Sequence, residues 1–214
     1  MNFPSISYAI LTHNEDESLD TLLNAIHPYK KYEDEIVFVD DHSTNEKTLK
    51  ILSKYPRVYK RHMNRDYAAQ KNYLNSKCRK DYIFQLDADE FPSKQLISNV
   101  KKMLIENPTI ELFGIPRANI IKGLTTSHIK KWRWKPDIYN RLNYPDYQGR
   151  LYKNEEKLIW YRPLHEHIIG NKTLFKIKQD TGYDIIHYKT VERQLESNDR
   201  YYNNYNEDGS IKET

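Results

Sequence analysis

The sequence has little cysteine and little glycine, and each shortage excludes a class of site. One cysteine, Cys78, stands among 214 residues, so the chain has no internal disulfide and no cysteine-based zinc site. None of the six glycines lies in the loop after the first predicted strand. That loop therefore lacks both the G-x-G-x-x-G fingerprint and the phosphate-cradling P-loop. A nucleotide bound here must be held by other groups.

Long apolar runs and a strong excess of one charge are also missing. No stretch has the length and hydropathy of a membrane span and no N-terminal signal is recognisable, so we expect a soluble, cytoplasmic protein. The formal net charge is +4, from 34 Lys and Arg against 30 Asp and Glu. This mild excess suits an anionic ligand. This excess is far smaller than the clustered positive charge of a dedicated nucleic-acid binder, so we expect no stable nucleic-acid binding.

The chain does contain a regular alternation of strand and helix patterns. Apolar runs of strand length are separated by segments whose leucines and isoleucines recur at helical spacing. The predicted strands are 5–11, 36–39, 57–60, 82–86 and 111–117. This alternation predicts an α/β fold with a mostly parallel central sheet covered by helices on both faces. We expect one domain with halves at 1–118 and 119–205, the second smaller and irregular, and a flexible tail at 206–214.

Two helix starts are predicted from capping patterns. Asn14 is followed three residues later by Glu17, and Ser43 is followed three residues later by Glu46. In a capping box, the side chain of the first residue accepts a hydrogen bond from the backbone N–H of the acidic residue. The side chain of the acidic residue accepts one from the backbone N–H of the first residue. We therefore expect Asn14 and Ser43 to begin the first two helices.

Acidic side chains follow the strand at 82–86 directly. Asp87, Asp89 and Glu90 stand within four positions, and in an extended chain Asp87 and Asp89 face the same way. Paired carboxylates need a cation or hydrogen-bond donors, and Mg²⁺ typically takes one or two carboxylates plus phosphate oxygens. The pattern favours a metal–diphosphate site, with a solvated acidic turn as the simpler alternative.

Two other strand ends carry polar residues, at 12–15 and at 40–44. Ligands of open α/β sheets bind at the carboxyl ends of the strands, so the three ends are expected to converge on one crevice. Asp40 and Asp41 can accept hydrogen bonds from a ribose or a base there. Lys71, in a predicted helix start, can reach a phosphate or remain a solvated lysine.

The second half is irregular and aromatic. The basic aromatic stretch 130–135 favours a mobile loop that can bind phosphate and stack on a sugar face, with a surface strand as the alternative, and it leaves room for a peripheral membrane contact. The runs 147–153 and 157–161 predict an antiparallel pair. Arg150 is expected to meet either a phosphate or Glu90. Near the end, 183–188 reads as a strand that feeds a helix at 190–205.

Several motifs, taken in order and spacing, resemble family-2 glycosyltransferases with the GT-A fold. The motifs are Ile10–Glu15, Val39–Thr44, Ala69–Asn72 and Leu86–Glu90. The resemblance covers about residues 4–117 and continues more weakly through 145–152, 164–168 and 186–189. His13 departs from the pattern, because the family usually has a tyrosine at that position.

The resemblance implies a nucleotide-sugar donor, a divalent metal (Mn²⁺ or Mg²⁺) and inversion at the anomeric carbon. UDP is the default nucleotide by family frequency. The candidates for nucleotide-sugar binding are Thr12, Asn14, Glu15, Asp40, Asp41, Lys71, Asp87 and Arg150. Lys71 and Arg150 are the basic candidates named above, and the others match positions of the family. The matches to the metal site are Asp87, Asp89 and His187. A buried structural role is the alternative for His187.

Glu166 matches the acidic residue that deprotonates the acceptor hydroxyl, and His165 or Asp146 are alternatives for this role. The sequence therefore predicts a metal-dependent inverting glycosyltransferase acting on a glycan, lipid-linked or other hydroxyl acceptor such as a lipopolysaccharide core. Two rivals stay open: a sugar-phosphate nucleotidyltransferase and a non-catalytic nucleotide-sugar-binding module of the same fold.

Overall fold

The computed structural model describes residues 3–212, which alternate between strands and helices as the sequence predicts. The strands are β1 (Ile6–Thr12), β2 (Glu35–Asp40), β3 (Val58–Lys60), β4 (Tyr82–Asp87), β5 (Glu90–Pro92), β6 (Leu112–Lys122), β7 (Leu142–Lys153), β8 (Ile159–Tyr161), β9 (His167–Ile169), β10 (Leu174–Lys176) and β11 (Ile185–Thr190). The helices are α1 (Glu17–Ile26), α2 (Glu46–Leu52), α3 (Tyr67–Asn75), α4 (Lys94–Glu106), α5 (Thr126–Trp132) and α6 (Val191–Asn204).

Most of these strands form one central sheet with the order β3-β2-β1-β4-β7-β6-β11-β5, and β10 pairs with β6. Strands β1 to β4 are parallel where they pair, as are β6 and β11. Strand β7 runs antiparallel between β4 and β6. The predicted α/β fold with a mainly parallel central sheet is therefore confirmed.

The apolar character of the strands explains why both faces of the sheet are covered. Along β1, successive side chains point to opposite faces, and all seven residues except Leu11 are buried. One face packs against α1 and α4, whose buried leucines, isoleucines and valine recur at helical spacing. The other face packs against α3 and the small β8–β9 sheet, through residues such as Leu74 and Trp160. Continuous burial of this kind is typical of parallel strands.

The two predicted caps are wrong. Helix α1 begins after Asp16, whose carboxylate accepts from the backbone N–H of Glu17. Helix α2 begins after Asn45, whose side chain accepts from the N–H groups of Lys47 and Thr48. Asn14 instead hydrogen-bonds to Ser43, Thr44 and Asn45 in the loop after β2, and the Ser43 hydroxyl donates to Asp40. Long-range partners thus displaced the local capping pattern.

The second half departs from the predictions in two places. Residues 130–132 of the basic aromatic stretch belong to α5, while 133–135 form the turn and irregular segment that follow it. Strands β7 and β8 do not pair with each other, because β7 lies inside the central sheet and β8 pairs with β9. In the predicted tail, residues 206–212 form a turn in which the Asn206 N–H donates to the Ser210 carbonyl. Residues 213 and 214 lie outside the described part.

The predicted final strand and helix correspond to β11 and α6. None of the helices found within residues 3–212 is both long enough and apolar enough to cross a membrane.

Candidate active site

A large open cleft lies at the carboxyl ends of β1 and β4, with a volume of about 1570 Å³. The register of the sheet brings the predicted strand ends together, since Thr12 pairs with Asp40 and Leu11 pairs with Asp87. The start of β7, the loop before β9, β11 and α6 complete the walls. Of the predicted site residues, the cleft is lined by Thr12, Asn14, Glu15, Asp41, Asp87, Asp89, Arg150, Glu166 and His187.

The loop after β1 is shaped by long-range hydrogen bonds. Asn14 has a positive φ of 53°, which asparagine tolerates better than most residues. Its side-chain Oδ1 accepts from the N–H groups of Thr44 and Asn45, at 2.8 and 2.9 Å. Asn14 therefore ties the first strand end to the second.

Thr12 carries a polar atom that the described part of the chain leaves unsatisfied. Its Oγ1 is buried and has no hydrogen-bond partner among residues 3–212. Buried hydroxyls usually have a partner, and Thr12 itself belongs to the wall of the cleft.

Asp40 and Asp41 have different surroundings. Asp40 is fully buried, and its carboxylate accepts hydrogen bonds from the backbone N–H and the hydroxyl of Ser43. The predicted contact between Asp40 and a nucleotide is not supported, because Asp40 is not among the residues that line the cleft. Asp41 does line the cleft, and one of its oxygens accepts from the N–H of Met63 at 3.0 Å.

Asp87 ends β4 and faces basic groups. Its Oδ2 accepts from Arg150 Nη2 at 2.6 Å and lies 3.9 Å from Lys71 Nζ, and its Oδ1 accepts from Gln85 at 3.0 Å. Burial acts to raise the pKa of Asp87, but the charges of Arg150 and Lys71 outweigh it and hold that pKa well below its ordinary value. Asp87 is therefore a carboxylate already compensated by the protein.

Asp89 lies two residues further on and faces other partners. Its Oδ2 is 3.3 Å from His187 Nε2 and 3.5 Å from Arg193 Nη2. Burial acts to raise the pKa of Asp89, and the neighbouring His187 reverses that effect, so the pKa is lowered. The second nitrogen of His187 lies 2.9 Å from Asn119 Oδ1, which fixes the orientation of the ring.

The donor set fits a divalent cation only in part. Among residues 3–212, no three His, Cys, Asp or Glu side chains converge as a metal-binding group. The predicted triad is thus reduced to Asp89 and His187, because Asp87 is turned toward Arg150. Two protein ligands fit a cation that takes its remaining oxygens from a diphosphate and from water.

Beneath the cleft floor lies a network of charges that the sequence indicates only through Arg150. Arg150 donates to Asp87 and also to Glu90, at 2.7 Å. Arg117 donates to Glu90 at 2.7 Å and to Asp146 at 2.6 Å. Glu90 is fully buried, and its pKa is lowered because the charge of Arg150 outweighs the opposing effect of burial. For Arg150, the predicted contact with Glu90 is therefore present.

Glu166 lies in the loop just before β9 and is paired with a lysine. Its Oε1 accepts from Lys71 Nζ at 2.5 Å. Lys71 is fully buried and does not line the cleft, so the predicted reach of Lys71 to a phosphate is not supported. His165 lines the cleft beside Glu166. Asp146 also lines it, but its oxygens accept from Arg117, Asn119 and Gln148.

One functional candidate escaped the sequence reasoning altogether. Arg193, in the first turns of α6, lines the cleft and donates to the carboxylate of Glu15 and approaches Asp89. Glu15 and Arg193 are 178 positions apart, and no local pattern marks either as a partner of the other. Only the fold brings them together.

Comparison with known proteins places this geometry in a family. The model of glycosyl transferase family 2 matches residues 7–195. An uncharacterised glycosyltransferase of Rickettsia bellii is 30% identical over 96 residues, which cover 45% of this chain and 31% of that protein. A second from Rickettsia conorii is 31% identical over 96 residues, covering 45% and 33%. The matches thus span about a third of the length of these relatives.

Solved structures share the fold at low sequence identity. Residues 1–349 of TarS from S. aureus give a TM-score of 0.59 at 17% identity, covering 92% of this chain and 63% of that one. The same protein in complex with UDP-GlcNAc gives 0.60 at 16% identity, covering 88% and 59%. The family model spans nearly the whole chain, and the chain belongs to glycosyl transferase family 2.

Proposed function

We propose that this protein transfers a glycosyl group from a nucleoside diphosphate sugar to a hydroxyl acceptor, with inversion at the anomeric carbon. The observation that carries the proposal is that Asp41, Asp89 and Glu166 line one cleft although they come from the segment after β2, the segment after β4 and the loop before β9. A binding group, a cation ligand and a base thereby face the same space. Family membership supports the reaction class.

The donor is assigned to the β1 and β2 side of the cleft. Thr12 offers an unsatisfied hydroxyl, and Asp41 offers carboxylate oxygens to a ribose or base. Asn14 and Glu15 shape the loop between them. UDP is the proposed nucleotide, and the complex of TarS with UDP-GlcNAc supports this choice.

Asp89 and His187 are the proposed protein ligands of Mn²⁺ or Mg²⁺. Their donor atoms lie 3.3 Å apart and both line the cleft. When bound, such a cation neutralises charge on the departing diphosphate. Arg193 adds a positive side chain on the same side of the cleft.

Glu166 is the proposed general base. Its Oε1 is engaged by Lys71, whereas Oε2 accepts no hydrogen bond from the described part of the chain. Oε2 takes the proton of the acceptor hydroxyl as that oxygen attacks the anomeric carbon. The bond from this carbon to the phosphate oxygen breaks, and the nucleoside diphosphate leaves with the electron pair.

The acceptor is assigned to the side of the cleft bounded by α5 and the start of β7. Trp134 lines the cleft and lies 4.7 Å from Trp132 between ring centroids. Residues 122–136 carry five Lys or Arg and no Asp or Glu. A glycan or lipid-linked acceptor with negative charge suits this rim, and so does a peripheral contact with an anionic membrane. Cosedimentation with vesicles of anionic lipid tests the membrane contact.

A thermal-shift screen tests the function directly. UDP-glucose, UDP-GlcNAc and GDP-mannose are each added with Mn²⁺, with Mg²⁺ or with EDTA. A ligand at 100 times its Kd stabilises the fold by about 2.7 kcal/mol, which raises Tm by roughly 5–10 °C in a chain of this size. The expected result is a rise in Tm with one of the nucleotide sugars, a smaller rise when EDTA is present, and slow release of free nucleotide.

The control is AMP, which lacks the diphosphate and should leave Tm unchanged. Binding without any release of nucleotide, with every acceptor offered, would identify a non-catalytic module. Release of pyrophosphate from UTP and a sugar phosphate would identify a nucleotidyltransferase. Absence of binding by all three donors would remove the proposal.

A further inference from the structure

The buried Lys71 has no role in the reaction described above, and its surroundings are unusual. A lysine side chain is seldom fully buried unless its charge is paired, because desolvation of an ammonium costs several kcal/mol. The partners of Lys71 are Glu166 Oε1 at 2.5 Å, the ring of Trp160 at 4.4 Å and Asp87 Oδ2 at 3.9 Å. Two of the three belong to the loop and strand that precede β9 and one to the end of β4.

We propose that Lys71 is a positioning residue that fixes the Glu166 carboxylate through Oε1 and so turns Oε2 toward the acceptor. This inference rests on the proposed role of Glu166 as base. It assigns Lys71 a task different from binding phosphate, because the ammonium lies behind Glu166 and Trp160 and does not line the cleft.

The support for Lys71 is rigid. Helix α3 is held against the β8 segment by a reciprocal pair, in which Asn72 Nδ2 donates to the Trp160 carbonyl and the Trp160 N–H donates to Asn72 Oδ1, both at 2.9 Å. The N–H of Tyr67, at the start of α3, donates to the Pro163 carbonyl at 3.0 Å. The segment leading to Glu166 is therefore attached to α3 on both sides of Lys71.

The same ammonium also lies near the donor half of the cleft. Asp87, 3.9 Å away, is the last residue of β4, and Asp89 follows two residues later in the turn between β4 and β5. Lys71 thus lies between a carboxylate of the β4 end and the carboxylate proposed to act on the acceptor. A positive charge at this point keeps two like charges from repelling each other across the cleft.

The experiment compares three variants of the full chain. Lys71→Met keeps the aliphatic stem and removes the charge, Lys71→Arg keeps the charge, and Lys101→Met is the matched control. Lys101 forms an ion pair with Glu33 at 2.5 Å and with the buried Asp34 at 2.8 Å, away from the cleft. Each variant is measured for UDP binding by calorimetry and for nucleotide release from UDP-GlcNAc, UDP-glucose and GDP-mannose.

The expected result is a fall of at least tenfold in kcat for Lys71→Met with the Kd for UDP changed less than threefold. Lys71→Arg should recover part of the rate, and Lys101→Met should lower Tm without lowering kcat. Equal kcat in Lys71→Met and wild type overturns the inference. Loss of UDP binding in Lys71→Met also overturns it, because Lys71 would then be a donor ligand.

A second measurement needs no turnover and so separates this inference from the proposed function. Tm is determined for Lys71→Met, Glu166→Gln and the double variant. If the two side chains are coupled as the structure shows, the loss of Tm in the double variant is smaller than the sum of the single losses. Additive losses refute the pairing even if the protein proves to be a glycosyltransferase, whereas coupling without any nucleotide binding refutes the proposed function and, with it, the task assigned to Lys71.

Discussion

Asp87 and Asp89 illustrate how two carboxylates that are two residues apart come to have different roles. Asp87 is neutralised by Arg150 from β7 and by Lys71 from α3. Asp89 meets His187 and the half-exposed Arg193. The charge of the first carboxylate is compensated by two buried basic side chains, while the second carboxylate has an imidazole and one partly exposed arginine beside it.

The first prediction concerns Asp89→Ala. Transfer should fall by about 10²–10³, the effect of losing one preorganised charge contact. The rate of nucleotide release with saturating Mn²⁺ and donor is the measurement. Asp81→Ala is the control, since Asp81 stands before the amino end of β4 and its carboxylate accepts only from Ser5 within residues 3–212. A rate near that of wild type for Asp89→Ala would remove Asp89 from the site.

The sequence predicted the residues whose signal is local. Asp87 and Asp89 follow an apolar run of strand length, and the run itself shows where the strand ends. The pairing of Lys71 with Glu166 joins residues 95 positions apart, and neither has a neighbour that points to the other. For Asn14 and Ser43 the local pattern was misleading, because the two adjacent loops offered them better partners than the nearest helix.

At the scale of elements, the small β8–β9 sheet determines where Glu166 lies. Strand β9 begins directly after Glu166, and three residue pairs join it to β8. Gly170 follows β9 with a φ of +90°, and a Cβ at this position would overlap the carbonyl oxygen of Lys157. The end of this sheet therefore requires glycine.

The second prediction is that Gly170→Ala lowers the rate of nucleotide release more than it lowers UDP affinity. The substitution combines backbone strain with a clash, at a cost of about 2 kcal/mol or more, and displaces β9, whose opposite end adjoins Glu166. Nucleotide release and UDP calorimetry are the measurements. Gly182→Ala is the matched control, because Gly182 also has a positive φ but its Cβ would meet only Gln95, at 3.6 Å. Equal effects of the two substitutions would contradict the prediction.

The third prediction concerns the charges shared by β5, β6 and β7. The pKa of Glu90 is lowered in the folded protein, since Arg150 and Arg117 outweigh its burial. In the unfolded chain Glu titrates near its free value of about 4.3, so below pH ~5 the unfolded state binds the proton first. The free energy of unfolding should therefore fall as the pH is lowered from about 5 to 3.

The variant Glu90→Gln tests this reasoning. At pH 7 it should lose about 3–5 kcal/mol, because two arginines lose a buried partner. Its free energy of unfolding should depend less steeply on pH between 5 and 3 than that of wild type. Urea unfolding at several pH values is the measurement, and identical slopes for the two proteins would refute the assignment.

At the scale of the whole molecule, the two predicted halves share one sheet. Strand β6 crosses the expected boundary at residue 118, and β7 from the second half lies between β4 and β6. Arg150 on β7 neutralises Asp87 and Glu90 of the first half. The first half therefore depends on the second for the strand that pairs with β4 and for the arginine that neutralises its buried carboxylates.

The fourth prediction is that residues 1–118 expressed alone do not form a cooperative fold. Truncation leaves the β4 edge at Tyr82–Phe84 unpaired and removes Arg150, so that Asp87 and Glu90 lose one of their buried cationic partners. Circular dichroism should show one thermal transition for the full chain and none for the fragment. A fragment that melts cooperatively at the Tm of the full chain would mean that the halves are independent.

The path of the chain between β6 and β7 has an evolutionary consequence. These strands are neighbours in the sheet, and the intervening residues 123–141, which include α5, leave from one and return to the other at the rim of the cleft. An excursion that starts and finishes on adjacent strands can be lengthened, shortened or exchanged without altering the register beneath it. Under the function proposed above, exchange of this one segment would change the acceptor while Thr12 and Asp41 on the donor side stay in place.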